Sequence, residues 1–395
     1  MRKKILIKVN PFLISEKIEE PVKINSFERV EKVLSIQEAI AIIRKWKKMG
    51  DWTEGEVIVE LQGGDYYLES GIKLTPRDSG RKKAPVIFRP AHRQKVRLIG
   101  GKKISSFKPV SDPEILTRLK PEVRSRVVEF NLLEAGITDF GKYHPRGHGG
   151  GSANSALELF FNGDVMIPAR WPKKSIFTNQ GFELIADVRG DKLVYSGDRP
   201  STWSRENEIY LHGFFSLDWA STIVRAVEIN TNTREITLDP PGAGHYGISK
   251  NGRFFFFNIL EELTEPGEWC LNRKTGKLYF LPPSDIENAE VIVSLLEEPL
   301  ISLVDVEYIK FENLILECTR GDAVTINNGT GVEFLGCNFK NIGRTAVRIN
   351  GGFNHVVKSC DLSHTGECGV IINLSLIHIS EPTRLLSISY AVFCL

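Results

Sequence analysis

The chain has 395 residues, 42% of them hydrophobic, and its 51 Lys+Arg against 49 Asp+Glu leave a formal charge of +2. That is enough apolar material for one large or two ordinary cores, which excludes a disordered chain. The basic clusters Arg44-Lys45-Trp46-Lys47-Lys48 and Arg81-Lys82-Lys83 are short, and no apolar run is long enough to cross a bilayer, so neither nucleic acid nor membrane is an expected partner.

The start, MRKKILIKVNPFLISEK, has a basic leader, but Lys8, Asn10 and Pro11 interrupt any apolar stretch and no small-residue cleavage site follows. Residues 1–34 are therefore an N-terminal segment without a readable secretory signal, and the compartment stays open. Ser35-Ile36-Gln37-Glu38 is a capping box; Ala39, Ile40, Ile43 and Trp46 then trace an apolar helical face that stops near Gly50. Short strand-like runs follow at Val57–Leu61, Tyr66–Leu68, Ile72–Leu74, Val86–Phe88 and Val96–Ile99. Residues 35–105 thus read as a capping helix and the first coils of a strand stack, because an open sheet end needs a cover.

Residues 106–286 change character, with longer alternating segments at 157–161, 209–211, 253–257 and 277–280. The stretch reads as an inserted antiparallel β domain, with 272–276 as a hairpin turn. Trp171, Trp203, Trp219 and Trp269 lie here, where core packing and stacking on a sugar ring both suit the side chain; Trp171 and Trp219 are the candidate substrate contacts. The segment 142–151 is rich in glycine and holds His144 and His148. Pro145 and the glycines forbid the helix that would place both on one zinc-binding face, and no Gly-Lys-Ser/Thr ending supports a phosphate loop.

A repeat of 23 residues governs 287–373: Phe311, Phe334 and Val357 align, as do Leu314, Cys337 and Cys360, then Val324, Val347 and Val370. Val291, Val293, Ile301 and Leu303 read as one coil earlier in the same register. The apolar positions alternate over three to five residues, so each coil supplies short strands to separate sheets. The fold class expected is all-β, a right-handed parallel β-helix with an inserted antiparallel domain. Asn327, Asn350 and Asn373 also recur, and asparagine at a bend is expected to form a structural amide ladder. Cys270, Cys318, Cys337, Cys360, Cys368 and Cys394 lack metal-site spacing and read as buried thiols; no metal or cofactor is expected.

Together with this repeat, the early coil 63–101, the string LELFFNGDVMIPARWP at 157–172, PGEW at 266–269 and GKLYFLPP at 276–283 resemble bacterial pectin-lyase-like β-helix proteins related to glycoside hydrolase family 141. The resemblance implies a carbohydrate-active enzyme acting on polysaccharide or oligosaccharide. In such relatives the coil after Cys360 runs on through a Gly-Gly-Asp-Arg segment. Here residues 374–395 lose the repeat, with Pro382 where a strand is due, and resemble a translated sequencing adaptor. On that reading the chain is an inactive N-terminal fragment of a longer enzyme.

Glycosidases place two carboxylates roughly 5–10 Å apart, which on stacked coils means equivalent positions one or two coils apart. No acidic pair lies 23 apart within 285–373, and at 46 only Glu287 and Glu333 match. The local candidates are Asp361, His364 and Glu367, with Asp361 outward beside inward Leu362 and the other two in the following turn. They are either solvated turn residues or the lip of a sugar cleft. A polysaccharide lyase, for which Arg344 and Arg348 are the available cations, and a non-catalytic glycan-binding β-helix are the alternatives.

Overall fold

The computed structural model describes residues 4–11, 27–50, 55–144, 153–174, 179–204 and 208–373. The tail expected to be artefactual and His148 lie outside them. Strands dominate the regular structure of the described chain, beside two α-helices. It divides into two compact units, one built from residues 1–102 and 294–395 and the other from 103–293.

The first unit is three parallel sheets fed in rotation by the chain. One seven-stranded sheet runs Phe27–Val33, Lys4–Val9, Val57–Leu61, Val86–Pro90, Ile309–Glu312, Glu333–Leu335, Val356–Lys358. A second runs Gly64–Tyr67, Val96–Ile99, Ile315–Thr319, Asn338–Ile342, Asp361–Thr365, and a third Ile72–Leu74, Ile301–Val304, Val324–Asn327, Val347–Asn350, Val370–Asn373. Each turn of chain visits all three, then returns one strand spacing further on. Pairing keeps the 23-residue advance, with Phe311 opposite Phe334 and Phe334 opposite Val357.

Because parallel pairing in register puts like positions above one another, inward residues form columns. Phe88, Phe311 and Phe334 stack with ring centroids 5.1 and 4.8 Å apart and planes within 14°. The amide ladder is present too: Asn350 donates to Asn327 Oδ1 and Asn373 to Asn350 Oδ1, both at 2.8 Å. The bends and one strand bulge also recur. Left-handed backbone appears at Asp305, Asn328 and Gly351; at Tyr308, Gly331 and Asn354; at Asn313, Gly336 and Ser359; and at Cys318, Asn341 and His364. Each set is spaced by one coil.

The helix Ile36–Met49 belongs to this unit's core through Ile36, Ala39, Ile40, Ile43 and Trp46. Ser35 Oγ accepts the Glu38 N–H at 3.1 Å, and Gly50 closes the helix at φ 77°. Glu38 reaches back to the N–H of Leu34 at 2.9 Å, one residue before the cap. Within the N-terminal segment, Lys4–Val9 and Phe27–Val33 are strands of the first sheet.

The register inferred for Val291 and Val293 does not hold. Val291–Ser294 pairs antiparallel with Leu159–Phe161, while the strand preceding Ile315–Thr319 in its sheet is Val96–Ile99. Alternating apolar residues specify a face but not a partner, and the true neighbour lies more than 200 positions earlier, before the second unit begins.

The second unit has an antiparallel sheet in the order Arg170–Trp171, Arg253–Phe257, Tyr210–Phe214, Thr222–Asn230, Glu235–Asp239, Lys192–Val194, Asp187–Arg189, with Glu183–Leu184 also on Arg253–Phe257. Its core gathers Tyr195, Trp203, Leu211, Phe215, Phe254 and Phe256. A five-stranded sheet contains the hairpin Glu268–Asn272 to Lys277–Phe280, whose turn is fixed by Asn272 Oδ1 accepting from Lys274 and Thr275 and by Gly276 at φ 69°.

Phe334 sits between Phe311 and Val357 with no exposure, so Phe334→Ala is expected to lower stability by about 3–5 kcal/mol, read from the urea midpoint at unchanged slope. His355 supplies a pH test. Its Nδ1 accepts the Val332 N–H at 3.3 Å, and partial burial, opposed by the Asn328 backbone, holds the imidazole below its ordinary pKa. The folded pKa being depressed, the unfolded state binds more protons, so the stability this group contributes is present above about pH 6.5 and is lost as pH falls through and below it. Melting temperature should drop over that range, and His355→Gln should flatten the drop.

Candidate functional site

The bend joining the second sheet to the third differs from the other bends. None of its residues adopts left-handed backbone in 319–323 or their equivalents one and two coils on, and charged side chains tie it together instead. Asp322, 5% exposed, receives Arg348 bidentately, Nε to Oδ2 at 2.8 Å and Nη2 to Oδ1 at 3.2 Å, and accepts the Thr345 N–H at 3.1 Å. Arg344 lies 3.9 Å from Asp322 and 3.3 Å from Glu367, and Arg348 is 3.6 Å from Glu367. Bonding to Asp322, opposed by burial, raises the Arg348 pKa above its ordinary value.

This arrangement is two carboxylates on two guanidiniums, spread over three coils. Asp322 and Glu367 are 45 residues apart, roughly two strand spacings or about 9–10 Å along the stack. A search at spacings of 23 and 46 misses them because they occupy neighbouring positions of the bend. The spacings that would have found the cluster are 26, joining Asp322 to Arg348, and 23, joining Arg344 to Glu367. The pair the search did find is not a stacked pair in the parallel sheets. Glu333 sits on the first sheet and meets Lys310 at 2.9 Å, whereas Glu287 lies in a turn of the second unit whose N–H is held by Asp285.

The three sequence candidates separate. Glu367 turns into the arginine cluster. Asp361 and His364 are exposed, and among the described residues neither makes a side-chain hydrogen bond or ion pair. His364 is not in a turn: the strand Asp361–Thr365 runs through it, and its φ of 51° is the bulge position held by Cys318 and Asn341 in the coils before. Asp361 stands opposite Asn338, as its outward place beside Leu362 requires.

In the second unit, Trp171 is half-buried and packs 6.1 Å from both Trp203 and Phe256, so it is a core side chain. Trp219 is 58% exposed, edge-on to Tyr246 at 5.2 Å. The conspicuous strings are architectural. In PGEW, Glu268 takes Lys173 Nζ at 2.6 Å and the N–H groups of Thr264 and Glu265, while Trp269 Nε1 reaches the Met166 carbonyl. In the earlier string, Asn162 and Gly163 supply the left-handed turn between Leu159–Phe161 and Asp164–Val165, and Arg170, lowered to about 10 by burial, lies 3.4 Å over the Phe255 ring. Tyr143, at the start of the glycine-rich loop, is half-buried and packs against Tyr210 and Phe257.

The five described cysteines are free thiols, and among the described residues no group of His, Cys, Asp and Glu is arranged to hold a metal. Cys337 donates to the Phe311 carbonyl at 3.5 Å, and the neighbouring Cys360 thiol together with burial pushes the Cys337 thiol up.

The fold is similar to that of a solved glycoside hydrolase, with a TM-score of 0.65 at 18% identity over 91% of this chain. The chain spans 65% of that protein's length. A second solved structure, a complex of XylC with xylose, aligns at a TM-score of 0.39 and 10% identity over 88% of this chain and 42% of that one. No protein-family pattern matches the chain. No curated protein matches it either. The similarity establishes a glycoside-hydrolase-like fold without assigning any active-site residue.

Removing one partner of a buried ion pair strands the other charge, so Asp322→Ala is expected to cost about 3–5 kcal/mol. A double-mutant cycle of Asp322→Ala with Arg348→Ala should show a coupling of more than about 1 kcal/mol by chemical denaturation; additive losses would mean the cluster does not act as a unit.

Proposed function

We propose that the three-sheet stack is a right-handed parallel β-helix of the pectin-lyase-like kind, that residues 106–286 are a β domain inserted into it, and that the protein is a glycoside hydrolase related to family 141 acting on complex polysaccharide. Parallel strands joined by crossovers are right-handed almost without exception, which supports the handedness. The observation that carries the functional reading is the structural likeness to a glycoside hydrolase over 91% of the chain, a span that takes in both units.

Hydrolysis needs one carboxylic acid to protonate the leaving oxygen and a second carboxylate as base or nucleophile. Asp322 and Glu367 are poor choices despite their spacing, because guanidinium groups occupy them and an acceptor so engaged has no proton to give. Asp361 and His364, exposed on the outer face of the second sheet, are the side chains we assign to the lip of the substrate cleft. The lyase alternative loses support on the same ground, since Arg344 and Arg348 are both committed to carboxylates. A binding role without cleavage keeps one observation in its favour, the exposed Trp219.

Incubation with arabinoxylan, pectin and arabinogalactan separates the readings. Hydrolysis generates new reducing ends without the ultraviolet absorbance of an unsaturated uronate, and Asp361→Asn is expected to weaken polymer binding about tenfold or more through one lost charge-assisted contact. Unsaturated products would make the protein a lyase; retention on the polymers with no product at all would make it a binding protein.

A further inference from the structure

The second unit carries an aromatic cluster that its own core does not use. Trp219 stands at the end of the main antiparallel sheet on the loop between Tyr210–Phe214 and Thr222–Asn230. Tyr246 meets it edge-on at 5.2 Å, and His245 meets Tyr246 edge-on at 4.7 Å. These residues come from two loops that are fastened to each other. Ser216 and Ser249 share a hydroxyl hydrogen bond of 3.0 Å, the Ser249 N–H donates to the Phe215 carbonyl at 2.8 Å, and a Cβ on Gly252 would lie 2.3 Å from that same carbonyl. Phe215 is 1% exposed and stacks on Phe254, which anchors the base of the loop in the core.

Polar side chains stand beside this exposed indole. Asp218, its side chain 90% exposed, leans toward Arg253 at 3.7 Å, and His245 is exposed. A protein partner would need roughly 800 Å² on this side, whereas the cluster offers a few side chains of one loop pair. A pyranose ring fits better, since it offers an apolar C–H face to the indole and hydroxyls at its edge to a carboxylate and an imidazole.

We propose that Trp219, Tyr246 and His245 form a saccharide-binding platform on the second unit, with Trp219 stacking on a neutral pyranose unit of the polymer and Asp218 and His245 bonding its hydroxyls. The proposal rests on the carbohydrate-active reading above and adds a contact that binds polymer without taking part in cleavage.

The test is affinity electrophoresis of the full chain in gels containing soluble arabinoxylan or mixed-linkage β-glucan, alongside acrylamide quenching of tryptophan fluorescence. Wild type should be retarded by at least one polymer and its quenching reduced by it. Trp219→Ala should migrate as in polymer-free gel, about tenfold weaker in binding, with Trp219→Phe intermediate and Leu184→Ala, an exposed apolar change on the same unit, unaffected. Wild-type and Trp219→Ala proteins retarded equally would overturn the platform while leaving the hydrolase reading intact. No retardation of wild type by either polymer would also overturn it, and the product assay decides the enzymatic reading independently.

Discussion

Parallel, in-register pairing of one coil on the next, at an advance of 23 residues from Ile301 onward, is the constraint from which the rest of the first unit follows. Once Phe311 lies opposite Phe334, every residue of a coil has a neighbour of equivalent position above and below, and its fate is decided by that column. Apolar columns become the core, as in the Phe88, Phe311, Phe334 stack. Columns of bend and bulge residues share a backbone conformation, so the left-handed positions repeat from coil to coil even where the residue is Tyr308, Cys318 or His364 rather than Gly or Asn. A coil alone has no such neighbours, and its conformation would not be held.

The same constraint organises charge. Two like charges in adjacent strands face each other at about 5 Å, so the stack favours alternation. Glu297 meets Arg320, Asp322 meets Arg348, and Arg344 meets Glu367, all along one bend. On the second sheet Arg97 bridges Asp65 and Glu317, and on the first Lys310 meets Glu333. These pairs come from successive coils and are separated in sequence by about one or more coils, so a motif search over short windows does not see them. Their nearly balanced signs accord with a chain whose overall charge is +2.

Legibility in the sequence tracked how regular each column is. The repeat, the asparagine ladder and the capped helix could be read because identical or similar residues recur at a constant interval or occupy a short motif. The partner of Ile315–Thr319 could not, because the second unit separates Val96–Ile99 from it and the apolar alternation at Val291 and Val293 offered an equally good face in the wrong place. Asp322 stayed hidden because its partners stand at offsets of 23 and 26 and are not carboxylates. Trp171 and Trp219 looked alike as residues, yet burial separates them: one packs into an aromatic core and the other is held out by two loops that only the fold brings together.

A stack of columns also dictates where chemistry can reside. A side chain satisfied by the coil above and the coil below has its donors and acceptors spent, as the Asp322, Arg344, Arg348 and Glu367 cluster shows, and changing its protonation would unpair its neighbours. A reactive or ligand-binding group must therefore stand where its column fails to use it. Asp361 lies on Asp361–Thr365, the edge strand of the second sheet among the described residues, and its one neighbour there, Asn338, offers no cation to bind the carboxylate. His364 holds the bulge position on the same edge strand and is exposed, whereas Cys318 and Asn341, on strands flanked on both sides, are buried. On that edge strand a charged or aromatic side chain reaches solvent, and this exposure is the reason to test Asp361 and His364 as substrate contacts.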